Sequence, residues 1–368
     1  MNAAVSPEEF ERLAETPVAI VDVAQLERNL NRVAEMAAIA GVAMRPHVKT
    51  HKSPRIARRQ LELGAVGVTC ATLDEATAMI SAGVDDVLVY YPIVGERALG
   101  RLLDLEAKAT VAATVEGGDS MARLDAAARR RGRTLDVLID VDSGLGRTGA
   151  APAEVDAVAQ ELERCVGLNL VGVATHEGFS YSLRDAGERD QVVTERLQEL
   201  VEIGRRLGVP RISCGSTPSI ETALGVDGIT EIRPGNYVFL DRIQVDLGVA
   251  DPADCALSIL STVISVRDSE RAIVDAGSKA LTSDLGAHGM GGLAGYGLIR
   301  SHPDMVITAL SEEHGFIDTK GTLLDVGRRF DIVPNHACAC ASAMGAFAFV
   351  EGSGVSVEPM AGRRGERR

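Results

Sequence analysis

The N-terminal two-thirds of the chain repeats one hydrophobic pattern. Short apolar runs rich in β-branched residues alternate with polar turns and with stretches in which apolar positions recur at helical spacing. Such alternation is typical of parallel strands joined by right-handed helical crossovers. About eight repeats favour a (β/α)8 TIM-like barrel over an open doubly wound sheet, and no GxGxxG follows the first strand. The runs lie at residues 18–23, 41–45, 66–70, 87–91, 110–115, 137–141, 170–175, 211–214 and 229–233.

The pattern changes near residue 241. Short alternating runs separated by glycine-rich turns follow, and they predict a smaller, mostly β domain. We therefore predict an α/β barrel over residues 1–240 and a β domain over residues 241–368, with the extreme N-terminus free to join either one. The later runs lie at residues 257–266, 271–275, 306–312, 329–333 and 347–351.

Composition narrows the partner and the compartment. The chain has 368 residues and a net charge of −14, which argues against nucleic acid or an anionic membrane as a partner and favours a small molecule. No apolar run is long enough to span a bilayer, and the N-terminus does not resemble a secretion signal. Six scattered cysteines in so large a chain fit a reducing compartment. Together these features predict a cytoplasmic protein.

Lysine is scarce in this sequence. Only five of the 38 basic residues are lysines, and two of them, Lys49 and Lys52, follow the second apolar run. The carboxyl ends of barrel strands form the active-site face, so Lys49 is placed for chemistry. A lysine amine, unlike a guanidinium, can form a Schiff base with an aldehyde. The alternative interpretation is an exposed basic loop.

Two loops after later strands contain small residues suited to a phosphate. Backbone N–H groups and hydroxyls ahead of a helix can hold a phosphate, and the phosphate site of a barrel usually lies on its last strands. The alternative is ordinary turn chemistry, since Gly-Ser-Thr and Pro-Gly turns are common in loops. The candidate residues are Gly215, Ser216 and Thr217 after one run, and Gly235, Asn236 and Tyr237 after the next.

Arg147 and His176 also follow predicted strands. Arg147 lies in a glycine-rich loop, where it either faces an anionic group of a ligand or is a surface arginine on a turn. His176 follows the run at 170–175, where an imidazole can stack on a ring or only satisfy the loop. Both positions belong to the face on which barrel enzymes place their functional residues.

The β domain contains a candidate metal pair. In an extended segment, side chains two residues apart share a face, so we expect His336, Cys338 and Cys340 to point the same way. Imidazole and thiolate together favour zinc, and two protein ligands leave positions for water and substrate. The alternative is a buried strand with two inert cysteines. His314 is a further candidate partner or a turn residue.

In this order, the motifs resemble the fold-type III pyridoxal-phosphate enzymes, specifically the metal-dependent group of D-serine dehydratase and D-threonine aldolase. The resemblance covers nearly the whole chain, and its most specific parts are the lysine segment at 45–52 and the His-x-Cys segment at 336–338. It implies an alanine racemase N-terminal type of barrel in which Lys49 binds pyridoxal 5′-phosphate as a Schiff base. The residues that would cradle the cofactor's phosphate are Gly215, Ser216, Thr217, Gly235, Asn236 and Tyr237.

The resemblance implies roles for the remaining candidates as well. Arg147 would face the cofactor's ring oxygen or the lysine, and His176 occupies the place of a ring-facing His or Tyr. Lys49, Arg147 and His176 would then be the catalytic residues. His336 and Cys338 match the family's metal pair, while the roles of Cys340, Lys52, Lys279 and His314 stay open.

Cys338 favours one reaction of the group. The aldolases place aspartate at that position, with cations such as Mn²⁺ or Mg²⁺, whereas the dehydratases place cysteine there with Zn²⁺; Co²⁺ is a further alternative. The resemblance therefore implies a homodimeric dehydratase, an ammonia-lyase that converts D-serine or a related D-β-hydroxy amino acid into a 2-oxo acid and ammonia. The alternatives are a D-threonine aldolase, a 3-hydroxyaspartate dehydratase or aldolase and, outside enzymes, a pyridoxal-phosphate carrier or homeostasis protein.

Overall fold

The computed structural model describes residues 6–289, 291–352 and 354–363. The strands of this described part are β1 (Val18–Asp22), β2 (Ala43–Met44), β3 (Val68–Cys70), β4 (Asp86–Val89), β5 (Thr110–Val115), β6 (Leu135–Asp140), β7 (Leu168–Ala174), β8 (Arg211–Cys214), β9 (Glu231–Ile232), β10 (Leu257–Val266), β11 (Arg271–Val274), β12 (Leu298–Ile299), β13 (Val306–Leu310), β14 (Gly315–Asp318), β15 (Arg329–Val333), β16 (Ala346–Glu351) and β17 (Gly354–Pro359). Its helices are α1 (Pro7–Leu13), α2 (Val23–Ala40), α3 (Pro54–Glu62), α4 (Leu73–Ser81), α5 (Glu96–Glu106), α6 (Gly118–Arg130), α7 (Val155–Leu162), α8 (Ala186–Leu207), α9 (Ile220–Leu224), α10 (Arg242–Asp246), α11 (Ser278–Leu281) and α12 (Ala337–Met344).

The chain divides into two compact units. One comprises the described residues up to Leu30 together with those from Asn236 to Met360, and it is called the β unit below. The other comprises the residues from Asn31 to Gly235 together with the described residues from Ala361 onward, and it is called the barrel unit.

The barrel unit confirms the predicted (β/α)8 architecture. Its eight strands follow the order β2-β9-β8-β7-β6-β5-β4-β3, and every pair is parallel. A parallel bridge between His47 and Thr69 joins the ends of the sheet just beyond β2 and β3, which closes the barrel. The strands are short and their inward side chains are buried, as in β6, where all six residues except Asp136 are buried.

The first apolar run does not belong to the barrel. β1 pairs antiparallel with β10 and parallel with β16, so it is a central strand of the sheet in the β unit. The repeat pattern included this run among the barrel strands because periodicity shows that a segment is a strand but not which sheet it joins. The barrel strands therefore begin with the second run.

The β unit contains the predicted mostly-β architecture. Its sheet has the order β13-β14-β11-β10-β1-β16-β17, with β15 paired to β10 and β12. Three strands were not predicted: β12 has two residues, β14 has four, and β17 lies at the edge with exposed positions. The core includes the buried rings of Phe239 and Phe347, whose centroids are 5.4 Å apart in an edge-to-face arrangement.

The prediction of an extended segment at residues 336–340 is wrong. His336 is the last extended residue, and α12 begins at Ala337. Alanine, cysteine, serine and methionine fill this segment without a β-branched residue, and alanine is the best helix former, so the helix prevails over an alternating pattern. Successive residues of a helix are about 100° apart, so Cys338 and Cys340 do not share a face.

No helix in the described ranges is both long enough and apolar enough to cross a membrane.

Candidate active site

The candidate residues of the barrel unit all lie in loops that follow strand ends. The chain turns at Lys49 after β2, and the loop after β6 contains Arg147. Because the strands are parallel, the carboxyl ends of all of them lie on one face of the barrel. The remaining candidates follow β7, β8 and β9: His176, then Gly215, Ser216 and Thr217, then Gly235.

Lys49 lies in a turn that is fixed at both sides. The Lys49 amide donates to His47 Nδ1 at 3.4 Å, and the His47 amide donates to the carbonyl of Pro234 at 2.9 Å. After the turn, Ser53 caps α3 by accepting the amide of Ile56 at 3.3 Å. The loop therefore holds a partly buried lysine next to an ordered helix start.

The pKa of His47 reflects the charges that surround the lysine loop. Burial lowers the pKa of His47 well below its usual value, and the nearby positive charges of Lys49 and Arg233 lower it further, followed by His176 and Lys52. His47 is therefore a neutral imidazole among cations. The same electrostatic contacts bring Lys49, Arg233 and His176 into one neighbourhood.

Lys52 has a structural partner. Its ammonium forms an ion pair with Glu75, whose side chain is almost fully buried and whose second oxygen accepts the amide of Ala71 at 2.7 Å. The Lys52 carbonyl accepts the amide of Ala361 at 2.9 Å. These contacts fix the end of the lysine loop to α4 and to the C-terminal segment.

His176 and Glu177 contact the loop after β8. His176 Nδ1 lies 2.5 Å from the carbonyl oxygen of Gly215, and since a carbonyl only accepts, this nitrogen carries the proton. Glu177 is fully buried and accepts the Gly215 amide at 2.8 Å and the Ser219 hydroxyl at 3.1 Å. Burial raises the pKa of Glu177, and the bonds to its carboxylate partly offset that rise. Glu177 was not among the site residues predicted from the sequence.

A second buried network lies at the same strand ends. The Arg233 guanidinium lies 4.1 Å from the centroid of the Tyr90 ring and donates to the carbonyl of Thr175 at 2.5 Å. The Tyr90 hydroxyl donates to Asp140, which also accepts the hydroxyl of Thr148 at 2.9 Å. Burial raises the pKa of Tyr90 well above its usual value, with Asp140 as the next cause.

Arg147 is exposed in the loop next to this network. Its charge acts on both Tyr90 and Asp140, where it lowers the pKa of each group against the larger effect of burial. The glycine-rich loop around it is ordered by Asp142, which accepts the amide of Gly144 at 2.9 Å. An exposed guanidinium at this face is available to an anionic ligand.

Gly235 marks a close approach to the lysine loop. A Cβ at this position would lie 3.1 Å from the carbonyl of His47 and 3.1 Å from the hydroxyl oxygen of Thr50, so a side chain is disfavoured. The chain then continues into a short helical turn of Asn236 and Tyr237, both buried in the β unit. Asn236 Nδ2 donates to Asp241 at 2.5 Å, while its buried Oδ1 finds no hydrogen-bond donor among the described residues.

His336 and Cys338 are neighbours at the start of α12. His336 Nδ1 lies 2.7 Å from Asp284 Oδ2, and the ring also forms a hydrogen bond with Cys338. Burial lowers the pKa of His336, but the bonds to Asp284 and Cys338 prevail and raise it to about 11. Asp241 anchors the helix start by accepting the amide of Ala337 at 2.9 Å. The pair is therefore preassembled, with a carboxylate behind the imidazole.

Asp284 was missed by the sequence analysis because no motif marks it. It lies in the loop that follows α11, and its backbone carbonyl accepts a hydrogen bond from Asn335 Nδ2 at 2.9 Å. The Asn335 side chain therefore fixes the backbone of Asp284. The Asp284 carboxylate in turn fixes the ring of His336, the residue that follows Asn335. Only the folded chain brings residues 284 and 336 together.

Three further candidates form contacts within the protein. Cys340 is buried, its thiol donates to the carbonyl of Leu281 at 3.0 Å, and burial raises its pKa. Lys279 is exposed between Glu312 and Glu313, at 2.8 Å and 2.6 Å. His314 is an exposed turn residue whose Nδ1 lies 3.3 Å from the hydroxyl of Ser311. Within the described ranges no group of three or more His, Cys, Asp or Glu side chains is arranged for a metal ion, which leaves a two-residue pair.

The fold and these residues match known protein families. Residues 21–242 match the family model for the alanine racemase N-terminal domain, and residues 256–350 match a putative serine dehydratase domain. The chain belongs to the alanine racemase-like family. In this pyridoxal-phosphate-dependent family it has a second domain that matches the putative serine dehydratase domain.

Relatives extend the match over most of the chain. The chain is 35% identical to D-threo-3-hydroxyaspartate dehydratase of Delftia sp. (strain HT23), over 88% of this chain and 91% of the relative. It is 31% identical to D-threonine aldolase of Arthrobacter sp., over 88% of this chain and 85% of the relative. A solved metal-free cysteine-to-alanine mutant of D-threo-3-hydroxyaspartate dehydratase superposes with a TM-score of 0.87 at 32% identity, covering 95% of this chain and 98% of that chain. These relatives are lyases.

Proposed function

We propose that the protein is a pyridoxal 5′-phosphate- and zinc-dependent dehydratase that converts D-serine or a related D-β-hydroxy amino acid into a 2-oxo acid and ammonia. The observation that supports elimination is the preassembled pair of His336 and Cys338, with a thiol where an aldolase would place a carboxylate. D-threo-3-hydroxyaspartate is the second candidate substrate, because a relative with 35% identity over 88% of the chain is a dehydratase of that compound.

The barrel unit provides residues that fit the cofactor. When bound, pyridoxal phosphate supplies an electron sink for the substrate's α-carbon. The Lys49 amine would hold the cofactor, and the same amine would accept the α-proton of the substrate. Arg147 is exposed at the same face for the ring oxygen or the substrate carboxylate. In its neutral form His176 presents Nε2 as an acceptor, because its Nδ1 proton is donated to Gly215.

The proposed phosphate site uses the loops after β8 and β9. Ser216 and Thr217 contribute hydroxyls and backbone amides, and Gly235 lets the second loop pack against the lysine loop. Asn236 and Tyr237 directly follow Gly235 in the chain and complete the predicted set. The Gly215 amide is engaged with Glu177, so we assign Gly215 a packing role within the site.

The β unit provides residues that fit zinc. Zinc supplies a Lewis acid for the departure of hydroxide, which is a poor leaving group. His336 Nε2 and the Cys338 thiolate would hold the metal, and Asp284 orients the imidazole through Nδ1, as carboxylates commonly do behind metal-bound histidines. The metal-free structure of a relative's cysteine-to-alanine mutant supports a cysteine ligand in this family.

The proposal includes a homodimeric, cytoplasmic enzyme. None of the six cysteines, all of which lie among the described residues, forms a disulfide, which suits a reducing compartment. The homodimer rests on the family resemblance alone.

Product identification tests this function. Purified protein loaded with pyridoxal phosphate and zinc is incubated separately with D-serine, D-threonine and D-threo-3-hydroxyaspartate. We expect a 2-oxo acid and equimolar ammonia from D-serine or D-threo-3-hydroxyaspartate. Glycine and an aldehyde would identify the protein as an aldolase instead, and the absence of turnover with a tightly held cofactor would favour the carrier protein.

Metal analysis tests the pair separately. We expect about one zinc per chain in protein purified without chelators, and less than about half an equivalent in Cys338→Ala. Cys340→Ala is the matched control, because Cys340 lies in the same helix and donates to a carbonyl. Equal zinc contents in both variants would show that Cys338 is not a zinc ligand.

A further inference from the structure

The loop after β7 holds one residue of the loop after β8 at both of its backbone polar atoms. His176 Nδ1 donates to the Gly215 carbonyl at 2.5 Å, and Glu177 Oε2 accepts the Gly215 amide at 2.8 Å. The other carboxylate oxygen of Glu177 accepts the Ser219 hydroxyl at 3.1 Å. Two successive residues therefore fix the beginning of residues 215–219, and Glu177 also fixes their end.

We propose that Glu177 is a positioning residue for the cofactor: its carboxylate sets the conformation of residues 215–219 and thereby the affinity for pyridoxal phosphate. This inference rests on the function proposed above, which places the phosphate on this loop. Glu177 is fully buried and acts through Gly215 and Ser219, not on the substrate.

The surroundings leave the loop little room to compensate. A Cβ on Gly215 would lie 2.7 Å from the carbonyl carbon of Arg233, so the loop already packs against the backbone after β9. Ser216 is held from the same side by the hydroxyl of Ser180 at 3.2 Å. Removing the carboxylate leaves the buried Gly215 amide without its acceptor, whereas the Ser219 hydroxyl can turn to the Ser216 carbonyl at 3.3 Å. Both changes release the loop from its present conformation.

A carboxylate is suited to this position, and an amide can replace it. Both donors that reach Glu177 need acceptors, and a carboxylate offers one on each oxygen. A glutamine can accept the Gly215 amide through its oxygen and donate to the Ser219 hydroxyl, which itself can donate to the Ser216 carbonyl at 3.3 Å. An alanine can do neither.

The experiment compares the cofactor affinities of variants of the full chain. Apoprotein is titrated with pyridoxal phosphate, and binding is followed by the cofactor's absorption band and by the rise in melting temperature. We expect Glu177→Ala to weaken binding by about tenfold or more, and Glu177→Gln to stay within about threefold of the wild type. Ser219→Ala keeps the Gly215 bond and should give a smaller loss than Glu177→Ala.

Asp125→Ala is the matched control. Asp125 is a buried carboxylate of α6 that accepts the amide of Gly167 at 2.7 Å, just ahead of the amino end of β7. It makes the same kind of bond in the same barrel, at the strand end opposite to that of Glu177. We expect Asp125→Ala to lower the melting temperature of the apoprotein and to leave the cofactor's dissociation constant within about twofold of wild type.

The outcomes separate this inference from the proposed function. If wild-type protein does not bind pyridoxal phosphate, the proposed function fails. If the wild type binds it and folded Glu177→Ala binds equally well, only the positioning role fails. Should Glu177→Ala not fold, Ser219→Ala decides: a measurable loss of affinity supports the positioning role, and an unchanged affinity overturns it.

Discussion

The two ends of the barrel treat buried charge in opposite ways. At the amino ends of the strands lie Asp86, Arg211 and Glu231, the first residues of β4, β8 and β9. Glu231 pairs with Arg211 at 2.8 Å and with Arg45 at 2.9 Å, and Arg45, which directly follows β2, also pairs with Asp86 at 2.6 Å. At the carboxyl ends, Arg233 donates to a carbonyl and a hydroxyl and lies over a tyrosine ring.

The carboxyl groups show the same difference. The two arginines lower the pKa of Glu231 although burial raises it, so Glu231 is an ion in a balanced cluster. Asp140 and Glu177 bond hydroxyl and amide donors, and burial raises the pKa of both. The amino end is internally neutralised and serves stability, whereas the carboxyl end keeps cationic groups for an anionic ligand in a chain of net charge −14.

We expect the largest effect from replacing Lys49, the proposed catalytic lysine at the carboxyl end of the barrel. Lys49→Arg keeps the positive charge but cannot bond an aldehyde, so we expect turnover to fall by at least about 10³-fold and the borohydride-sensitive absorption of the cofactor to disappear. Lys108→Arg is the control, because Lys108 is exposed in a turn after α5 and should keep full activity. Retained activity in Lys49→Arg would refute the assignment.

The next effect concerns the amino end. Glu231→Ala leaves Arg45 without one partner and Arg211 without its carboxylate, and breaking such a buried cluster costs about 3–5 kcal/mol of unfolding free energy. Denaturant titration measures this loss. The Ser213 hydroxyl links the cluster to the carboxyl end, since it donates to Glu231 at 2.7 Å and accepts Arg233 Nε at 2.8 Å. We expect the cofactor affinity of the folded variant to change by less than about threefold, because Arg233 keeps its bond to the Thr175 carbonyl. A Glu231→Ala variant that keeps its stability but binds the cofactor poorly would show that this cluster serves binding and not stability.

The sequence was sufficient for the barrel because eight strand-and-helix repeats leave a strong periodic signal. Lys49, His176 and Gly215 could be found for the same reason: each follows a strand end that periodicity locates. Glu177 was missed, since a buried glutamate in a loop looks like a solvated one until Gly215 is seen beside it.

In the β unit, hydrophobic periodicity was not enough to predict which strands and residues come together. Its strands are short and paired over long sequence distances, so β1 could not be assigned to its partners β10 and β16. Asp284 reaches His336 only through tertiary structure. The alternation of His336, Cys338 and Cys340 suggested a strand, but helix propensity prevailed and separated Cys340 from the pair.

The smallest effect is on the pH dependence of the unfolding free energy, to which buried groups at the two ends contribute in different pH ranges. Burial lowers the pKa of His51 to about 3, the charge of Lys52 acts in the same direction, and bonds with Ser53 and Gln60 oppose them only in part. The unfolded histidine has a pKa of about 6.5, so between these values the unfolded state binds more protons, and stability falls as the pH falls from 6.5. Glu231, whose pKa is lowered, loses its contribution only below the usual range of a glutamate.

Acidification from pH 6.5 to 5.5 should therefore weaken the carboxyl end first. His51→Asn keeps an acceptor for the Ser53 amide, which His51 Nδ1 accepts at 3.0 Å, but it removes the titrating ring. In urea titrations we expect the unfolding free energy of this variant to depend less on pH than that of the wild type, by about 1 kcal/mol per pH unit. Glu231→Gln should keep the wild-type slope in this window. Equal slopes for the wild type and His51→Asn would show that His51 is not held neutral by burial at the carboxyl end.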